Sequence, residues 1–484
     1  MRTFLTALAL AVLFGNASAP RAASHDNTVE WNGVSHVIWQ DLRPICPENG
    51  EPFSVRFQTW DFDITSARVR GVDGGVITTW ENAYFVEDKG PYDVWQADLD
   101  SSFGGFVDYV IELTDGSDTD YYTTAGMSDT IPSGADFTVD FGSYTHAPYG
   151  AVKTTTGAVF RTWAPGASSA RVRGDFNGWT TVNPMQANGN DWIARIPGVA
   201  DRDNYKLYFN DGASPVWKTD AHSRAINAGD NNNSIVEDPT RYVWNSNSFV
   251  TPALEEMIIY QIHIGTFAGR NDPHGTAPFP SGYLEVADRA YQLAELGVNA
   301  VQICPINEFP GDESAGYNPI GIYSPEWIYG TPDECKAMID SLHAHGIAVL
   351  LDIVYNHFSD TDNFLWQYDG TQIYFDDPVV GTPWGSQADF DKPEVRDYYI
   401  QNAMMWLEEY RIDGFRMDAT DFMNIFPQEA AGWFLMQEIN DMMDWRYADR
   451  VSIAEQLPDD DFVTRPTNIG GAGFDTQYYD KFTD

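Results

Sequence analysis

Four charged side chains interrupt or end apolar runs in the C-terminal half of this 484-residue chain. Asp352 lies inside one such run, Arg416 and Asp418 stand two residues apart in another, and Glu455 ends a third. Residues two apart on a strand project from the same face, so Arg416 and Asp418 can share a site. A guanidinium beside a carboxylate favours the ionised form, which a carboxylate nucleophile needs. A buried, unpartnered Asp352 would be costly, so we expect it to be paired or functional.

Acidic groups at the ends of successive strands indicate chemistry that needs one ionised and one protonated carboxyl group. Retaining glycoside hydrolysis is the leading case, since burial beside a carboxylate keeps the acid protonated near neutral pH. A divalent-metal hydrolase is the alternative, because acidic clusters also bind Mg²⁺ or Ca²⁺. Purely structural roles also stay open: a loop hydrogen bond for Asp352 and an ion pair for Arg416 and Asp418.

The elements that would position these groups follow a βαβ pattern from about residue 250, where strand-length apolar runs alternate with helical stretches. The predicted strands are residues 258–264, 300–304, 347–355, 414–419 and 451–455. The predicted helices are residues 283–296, 332–345 and 393–410. Active sites of parallel α/β folds lie at the carboxyl ends of the strands. Periodicity alone fits an open doubly wound sheet as well as most of an eight-stranded barrel.

Two all-β regions precede this pattern, at residues 28–140 and 144–240, because short alternating runs are separated there by Gly and Asp clusters. The sequence SARVRG occurs at residues 66–71 and again at 169–174. This repeat predicts two related modules in tandem. Only the second copy is followed by DFNGW, at residues 175–179.

Charge excludes two classes of partner. The chain has 28 basic and 71 acidic side chains, a formal net charge of −43. Nucleic acids and anionic membrane surfaces are bound through clustered Lys and Arg, so we expect neither as a partner. The acidity fits a solvated surface or adaptation to high salt.

The N-terminal residues 1–23 predict a secretory signal peptide, with an apolar run followed by small residues. We therefore expect a secreted protein, either extracellular or periplasmic. Cys46, Cys304 and Cys335 lie far apart, without metal-site spacing. This spacing argues against a zinc site or a disulfide scaffold, although one disulfide can form.

Three ordered segments, DIVYNH at 352–357, GFRMD at 414–418 and IAE at 453–455, resemble the first three signatures of glycoside hydrolase family 13, the α-amylase family. Segments 260–267, 307–311 and 316–319 extend the resemblance. It implies that residues 250–484 form part of a (β/α)₈ TIM barrel.

The same resemblance implies roles for individual residues. Asp418 would be the nucleophile and Glu455 the general acid and then base, while Arg416 would keep Asp418 charged. Substrate-binding roles would fall to Tyr317, by stacking, and to Asp352 and His357. No cofactor is required, but Ca²⁺ is a candidate ion with Asn356 as one ligand; further metal ligands cannot be identified from the sequence.

The DFNGW segment resembles the family 48 carbohydrate-binding module, and residues 28–140 resemble immunoglobulin-like starch-associated domains. Trp179 would stack on glucose rings, or else close the module's core or pack against the barrel. The expected architecture is thus two N-terminal immunoglobulin-like β-sandwiches followed by an incomplete TIM barrel.

These resemblances favour a secreted retaining glycosidase that hydrolyses α-1,4 bonds of starch- or glycogen-like α-glucan polysaccharides or oligosaccharides. The alternatives are a 1,4-α-glucan branching enzyme, a pullulanase-like debranching enzyme, and an inactive carbohydrate-binding remnant. The fourth family signature, a His-Asp pair, does not occur after Glu455. We therefore expect the chain as it stands to be inactive and its barrel to be incomplete.

Overall fold

The computed structural model describes residues 25–74, 76–100, 103–212, 214–268, 280–423 and 429–479. The predicted signal peptide, residues 1–23, lies outside them. The chain divides into two compact units, one comprising Met1–Pro148 with Val152–Val159 and the other Tyr149–Ala151 with Phe160–Asp484.

The first unit is built from two antiparallel sheets that share one core. Alternation along strand Phe53–Trp60 places Phe53, Val55 and Phe57 inside and the intervening side chains further out. Val69, Tyr109 and Ile111 of the opposite sheet complete the core. The strands are Leu42–Arg43, Phe53–Trp60, Ser66–Asp73, Val76–Asn82, Tyr84–Lys89, Tyr92–Leu99, Phe106–Asp115, Asp118–Thr123, Gly126–Ser128 and Phe137–Asp140, with a short helix at Ile38–Asp41. The predicted all-β character of this region is therefore correct.

A second pair of antiparallel sheets follows, again with one of four strands and one of six. Phe160 of one sheet packs edge-on against Tyr205 of the other, with ring centroids 5.0 Å apart. The strands are Gly150–Lys153, Gly157–Trp163, Ala170–Gly174, Asn183–Pro184, Gln186–Asn188, Asp191–Pro197, Asn204–Phe209, Val216–Lys218, Ile226–Asn227 and Asn233–Ile235.

The two SARVRG segments occupy corresponding places in these regions. Residues 66–71 begin strand Ser66–Asp73, which pairs antiparallel with strand Phe106–Asp115. Residues 170–174 form a strand that pairs antiparallel with Asn204–Phe209. This correspondence supports related modules, whereas the immunoglobulin-like label for both stays a prediction.

The C-terminal region contains a sheet of six parallel strands in sequential order. These barrel strands, first to sixth, are Ile259–Ile262, Ala300–Ile303, Ala348–Ile353, Gly414–Met417, Val451–Ala454 and Thr476–Gln477. The first five agree with the predicted strands but are shorter at one or both ends. Sequential parallel order is the order of a (β/α)₈ barrel and not of a doubly wound sheet, so the barrel interpretation is the one that fits.

Helices connect the barrel strands at Ile264–Phe267, Tyr283–Ala287, Ala290–Leu296, Pro332–Ala344, Pro393–Glu409 and Glu429–Arg446. Helix Pro332–Ala344 begins at a capping box, in which Thr331 and Glu334 bond each other's backbone N–H groups. The single helix predicted for residues 283–296 is wrong: the chain breaks it at Asp288 and Arg289. No Pro or Gly marks that break in the sequence.

The structure answers the questions of a disulfide bond and of a membrane-spanning helix. All three cysteines are free thiols, with Cys46 and Cys335 buried and Cys304 half-buried. Within the described ranges, no helix is both long enough and apolar enough to cross a bilayer.

Candidate active site

The register of the parallel strands brings the predicted catalytic groups together. Asp352 of the third barrel strand lies directly beside Arg416 of the fourth. Asp418 and Glu455 follow the fourth and fifth strands, and their backbone N–H groups still bond Ile353 O and Met417 O, at 2.9 and 3.0 Å. Both carboxyl groups therefore leave the same edge of the sheet on an ordered backbone.

Arg416 joins three carboxylates. Its Nη1 donates to Asp352 Oδ1 at 2.6 Å and to Asp418 Oδ1 at 2.8 Å. Its Nη2 lies 2.7 Å from Glu455 Oε1. The guanidinium is almost fully buried, and the carboxylates raise its pKa further above its usual range despite that burial. A permanent positive charge thus holds the two predicted catalytic carboxyl groups in place.

Asp352 is paired with Arg416 and Tyr317. Its side chain has no exposed surface. Arg416 occupies Oδ1, and the Tyr317 hydroxyl donates to Oδ2 at 2.7 Å. Burial raises the pKa of Asp352 to about 7, although Arg416 and Tyr317 both act to lower it. Asp352 therefore fixes Arg416 and Tyr317, and its contact with a sugar stays a prediction.

Asp418 is held from two sides. Besides Arg416, the side-chain amide of Asn356 donates to Asp418 Oδ2 at 3.0 Å and to its backbone oxygen at 2.8 Å. The Arg416 cation therefore holds Oδ1 of Asp418, and the Asn356 amide holds Oδ2. The orientation of the Asp418 carboxylate is therefore fixed by two side chains from different segments of the chain.

Glu455 has the features of a general acid. Its Oε2 accepts the backbone N–H of Ala419 at 2.9 Å. Ala419 has φ +41°, a left-handed conformation that is unfavourable for a residue with a Cβ and is typical of functional sites. Burial raises the pKa of Glu455, and nearby Asp418 adds to the rise while Arg416 opposes it. Glu455 therefore keeps its proton to a higher pH than an ordinary glutamic acid does.

Tyr317 and His357 lie beside these groups. Gly316, at φ +93°, brings the backbone so close to Pro305 O that a Cβ would stand 2.1 Å from that oxygen, and this close approach positions Tyr317. The Nε2 of His357 lies 3.0 Å from Tyr317 O, and its Nδ1 contacts Asn356 Oδ1. Burial lowers the pKa of His357, which favours its neutral form. Contact of either residue with a sugar stays a prediction.

The environment of Asn356 does not fit a Ca²⁺ site. Its amide nitrogen bonds Asp418, and its amide oxygen contacts His357. Among the residues that the structure describes, no three His, Cys, Asp or Glu side chains are grouped so that they can hold a metal ion. No step below involves a metal.

The sequence interpretation missed three residues around this cluster. Gln302 Nε2 lies 3.5 Å from Asp352 Oδ2, and Tyr478, just after the sixth strand, donates to Gln302 Oε1 at 2.9 Å. The indole of Trp384 lies 5.6 Å from the His357 ring. Gln302 lies on a barrel strand between apolar neighbours, which was an available signal, whereas nothing in the local sequence marks Tyr478 or Trp384.

Trp179 of the second module is half-buried and does not close the core. Its Nε1 donates to Asp175 Oδ1 at 3.0 Å. Its ring lies 6.4 Å from that of Trp217, which is 44% exposed. The two indoles form an accessible aromatic pair on the module, as a stacking surface requires.

Comparison with known families agrees with this arrangement. Residues 284–373 match the family described as "Alpha amylase, catalytic domain". Residues 148–223 match "Carbohydrate-binding module 48 (Isoamylase N-terminal domain)".

Several relatives are named 1,4-alpha-glucan branching enzyme. That of Rhodospirillum rubrum is 31% identical over 350 residues, 66% of this chain and 47% of the relative. That of Jannaschia sp. is 32% identical over 391 residues, 73% and 55% respectively. That of Photobacterium profundum is 33% identical over 349 residues, 66% and 48%. The chain thus spans about half the length of the curated relatives it matches.

Solved structures show the same fold. A putative alpha amylase from Salmonella typhimurium superposes with a TM-score of 0.57 at 28% identity, covering 69% of this chain and 54% of that one. A pullulanase from Paenibacillus barengoltzii gives 0.55 at 23% identity, covering 64% and 52%.

These matches confirm the resemblance to the α-amylase family with a family 48 module, and they correct one prediction. The relatives are named branching enzymes, which contradicts the expectation of a starch-hydrolysing enzyme and favours the branching alternative, whereas secretion stays a prediction. The hydrolytic prediction was wrong because hydrolysis and transfer use the same pair of carboxyl groups.

Proposed function

We propose that this chain, an α-amylase relative with a family 48 module, supplies the catalytic carboxyl groups of a 1,4-α-glucan branching enzyme. Such an enzyme cuts an α-1,4-glucan and joins the released chain to a 6-hydroxyl group of another glucose unit. The observation that carries the proposal is the identity of 31–33% to proteins of that name. The arrangement of Asp418, Glu455 and Arg416 supplies its chemistry.

In the first half-reaction, Asp418 attacks the anomeric carbon of the donor glucan. The bond from that carbon to the glycosidic oxygen breaks, and Glu455 gives its proton to the departing oxygen. A covalent glycosyl ester on Asp418 results. The raised pKa of Glu455 supports its role as proton donor.

In the second half-reaction, a glucose 6-hydroxyl group attacks the same carbon. Glu455, now ionised, takes the hydroxyl proton, the new α-1,6 bond forms and the ester bond to Asp418 breaks. Two inversions give net retention of the α configuration. Hydrolysis differs only in that water replaces the 6-hydroxyl group, so branching requires that the acceptor glucan outcompete water.

Arg416 contributes by electrostatics throughout. Its guanidinium holds the Asp418 carboxylate in position for the attack, and its charge stabilises ionised Glu455 after proton transfer. The aromatic pair Trp179 and Trp217 would hold glucan on the second module by stacking.

Product analysis tests the proposal. The purified protein is incubated with amylose, and reducing ends are counted before and after treatment with a debranching enzyme. The branching proposal predicts few new reducing ends during the incubation and many after debranching, whereas the inactivity expected from the missing fourth signature predicts no change in either count. Asp418→Asn should abolish this change, whereas Asp211→Asn, at an exposed carboxyl group of the second module, should preserve it.

Reducing ends that accumulate during the incubation, with none added by debranching, would contradict the branching proposal. Glucan binding without any turnover would also contradict it and would favour the carbohydrate-binding alternative.

A further inference from the structure

Trp384 combines wide exposure with a fixed position beside the catalytic cluster. Its side chain is 49% exposed. The indole packs edge-to-face on Phe422 with centroids 4.6 Å apart, and it lies 5.6 Å from the ring of His357. Phe422 ends the short helical turn that follows Asp418. One side of the indole is therefore anchored to the segment that carries the nucleophile, and its remaining surface is open.

The hairpin that carries Trp384 is held close to the third barrel strand. Its strands are Gly381–Thr382 and Gly385–Ser386, and Phe358 N donates to Ser386 O at 2.9 Å. A Cβ on Gly385 would stand 1.9 Å from Phe358 O, so only glycine permits this approach. The backbone N–H of Trp384 itself donates to Thr382 Oγ1 at 3.2 Å.

A buried amide ties the same hairpin to the catalytic segments. Gln387, just after the hairpin, has no exposed surface. Its Nε2 donates to Phe422 O at 2.5 Å and approaches Asn356 O at 3.4 Å. Asn356 in turn bonds Asp418. Gln387 thus links the hairpin of Trp384 to Asn356, which holds Asp418, and to Phe422, which follows it in the chain.

We propose that Trp384 is a stacking platform for a glucosyl unit of an α-1,4-glucan, next to the unit whose bond is cut. This inference rests on the proposed function, because it takes the ligand to be an α-glucan. The C–H face of a pyranose ring packs on an indole, and a platform already fixed in place loses little conformational entropy on binding. An indole at the edge of the carboxyl cluster would align the chain for attack by Asp418.

Calorimetric titration with maltoheptaose tests this inference without requiring turnover. All variants carry Asp418→Asn, which prevents reaction, and Trp217→Ala, which removes the exposed indole of the second module. In this background Trp384→Ala should raise the Kd for maltoheptaose about tenfold, and Trp384→Phe less than about threefold.

Trp366→Ala is the matched control. Trp366 is 40% exposed and packs on the aromatic ring of Phe375, and among the described residues no ring contact joins it to His357 or Phe422. We expect the Kd of Trp366→Ala for maltoheptaose to stay within about twofold of the Kd of the Asp418→Asn, Trp217→Ala protein. Unchanged thermal midpoints in all variants would show that affinity, not folding, has changed.

The inference is overturned if Trp384→Ala binds as tightly as the background protein, if Trp366→Ala weakens binding equally, or if the background protein does not bind maltoheptaose. Its failure is distinct from failure of the proposed function. If Trp384→Ala weakens binding but the parent protein gives hydrolytic products, the stacking role of Trp384 is supported and branching is rejected. If the parent protein branches amylose but Trp384→Ala binds maltoheptaose with unchanged affinity, branching is supported and the stacking role is rejected.

Discussion

Replacement of Arg416 by lysine tests how the catalytic carboxyl groups are held. The guanidinium contacts Asp352, Asp418 and Glu455 at 2.6, 2.8 and 2.7 Å through two nitrogens that point in different directions. A lysine keeps the charge but has a single nitrogen, which cannot reach all three groups. The Nη2 contact with Glu455 should be lost first.

The magnitude follows from these contacts. A hydrogen bond to a charged group contributes about 1.5–3 kcal/mol. Loss of one or two such bonds in the transition state predicts that kcat/KM falls by about 10-fold to 10⁴-fold. The pKa of Glu455, which Arg416 lowers, should rise, so the alkaline limb of the pH profile should move to higher pH.

The assay follows the loss of iodine staining of amylose across pH for the parent protein and Arg416→Lys. Arg171→Lys is the control, because Arg171 forms an exposed ion pair with Asp211 in the second module. A kcat/KM within about threefold of the parent value, with an unmoved alkaline limb, would refute the role given to Arg416.

Three further predictions follow from particular contacts. Gly316→Ala should lower activity with little change in global fold, because its Cβ would collide with Pro305 O and displace the following tyrosine; kinetics and circular dichroism check this, and parent-like activity would contradict it. Glu409→Gln should lower the free energy of unfolding by about 3–5 kcal/mol, because Arg224, which Glu409 contacts at 2.7 Å, would be left buried without its charge partner. Denaturant titration measures this free energy, and a loss below about 1 kcal/mol would refute the prediction. Burial raises the pKa of Glu326 to about 7, so the stability of the parent protein should fall as pH rises from about 5 to 8. Glu326→Gln should make this fall less steep. Thermal midpoints measured across pH test this, and parallel curves for the parent protein and the variant would contradict the raised pKa of Glu326.

The barrel strands could be predicted because each is marked by a continuous apolar run in the local sequence. Apolar runs such as residues 347–355 bury on both faces, and a charged residue inside one, Asp352, stands out against that pattern. The parallel register then brings Asp352 beside Arg416 without further information. The third strand was predicted too long because Ile347, Val354 and Tyr355, which lie beyond its paired segment, are also apolar and buried.

The side-chain contacts within the site could not be predicted from the sequence, because they join segments that are far apart in the chain. The partners of Asp352, Tyr317 on one oxygen and Arg416 on the other, are fixed by the tertiary structure and could not be predicted from the local sequence. Trp384 reaches the cluster through a glycine-dependent hairpin contact that no periodicity encodes. The choice between water and a sugar hydroxyl group as acceptor is likewise invisible in the shared carboxyl pair.

The most direct test of the central claim is to identify the residue that carries the glycosyl group. Glu455→Gln is incubated with α-maltosyl fluoride, whose fluoride leaves without acid assistance, so the first step proceeds while transfer to an acceptor is slowed. Peptide mass spectrometry should find a maltosyl ester on Asp418, and Asp418→Asn should show none. An adduct on another residue, or no adduct while fluoride is released, would contradict the assignment of Asp418 and Glu455 as the catalytic pair.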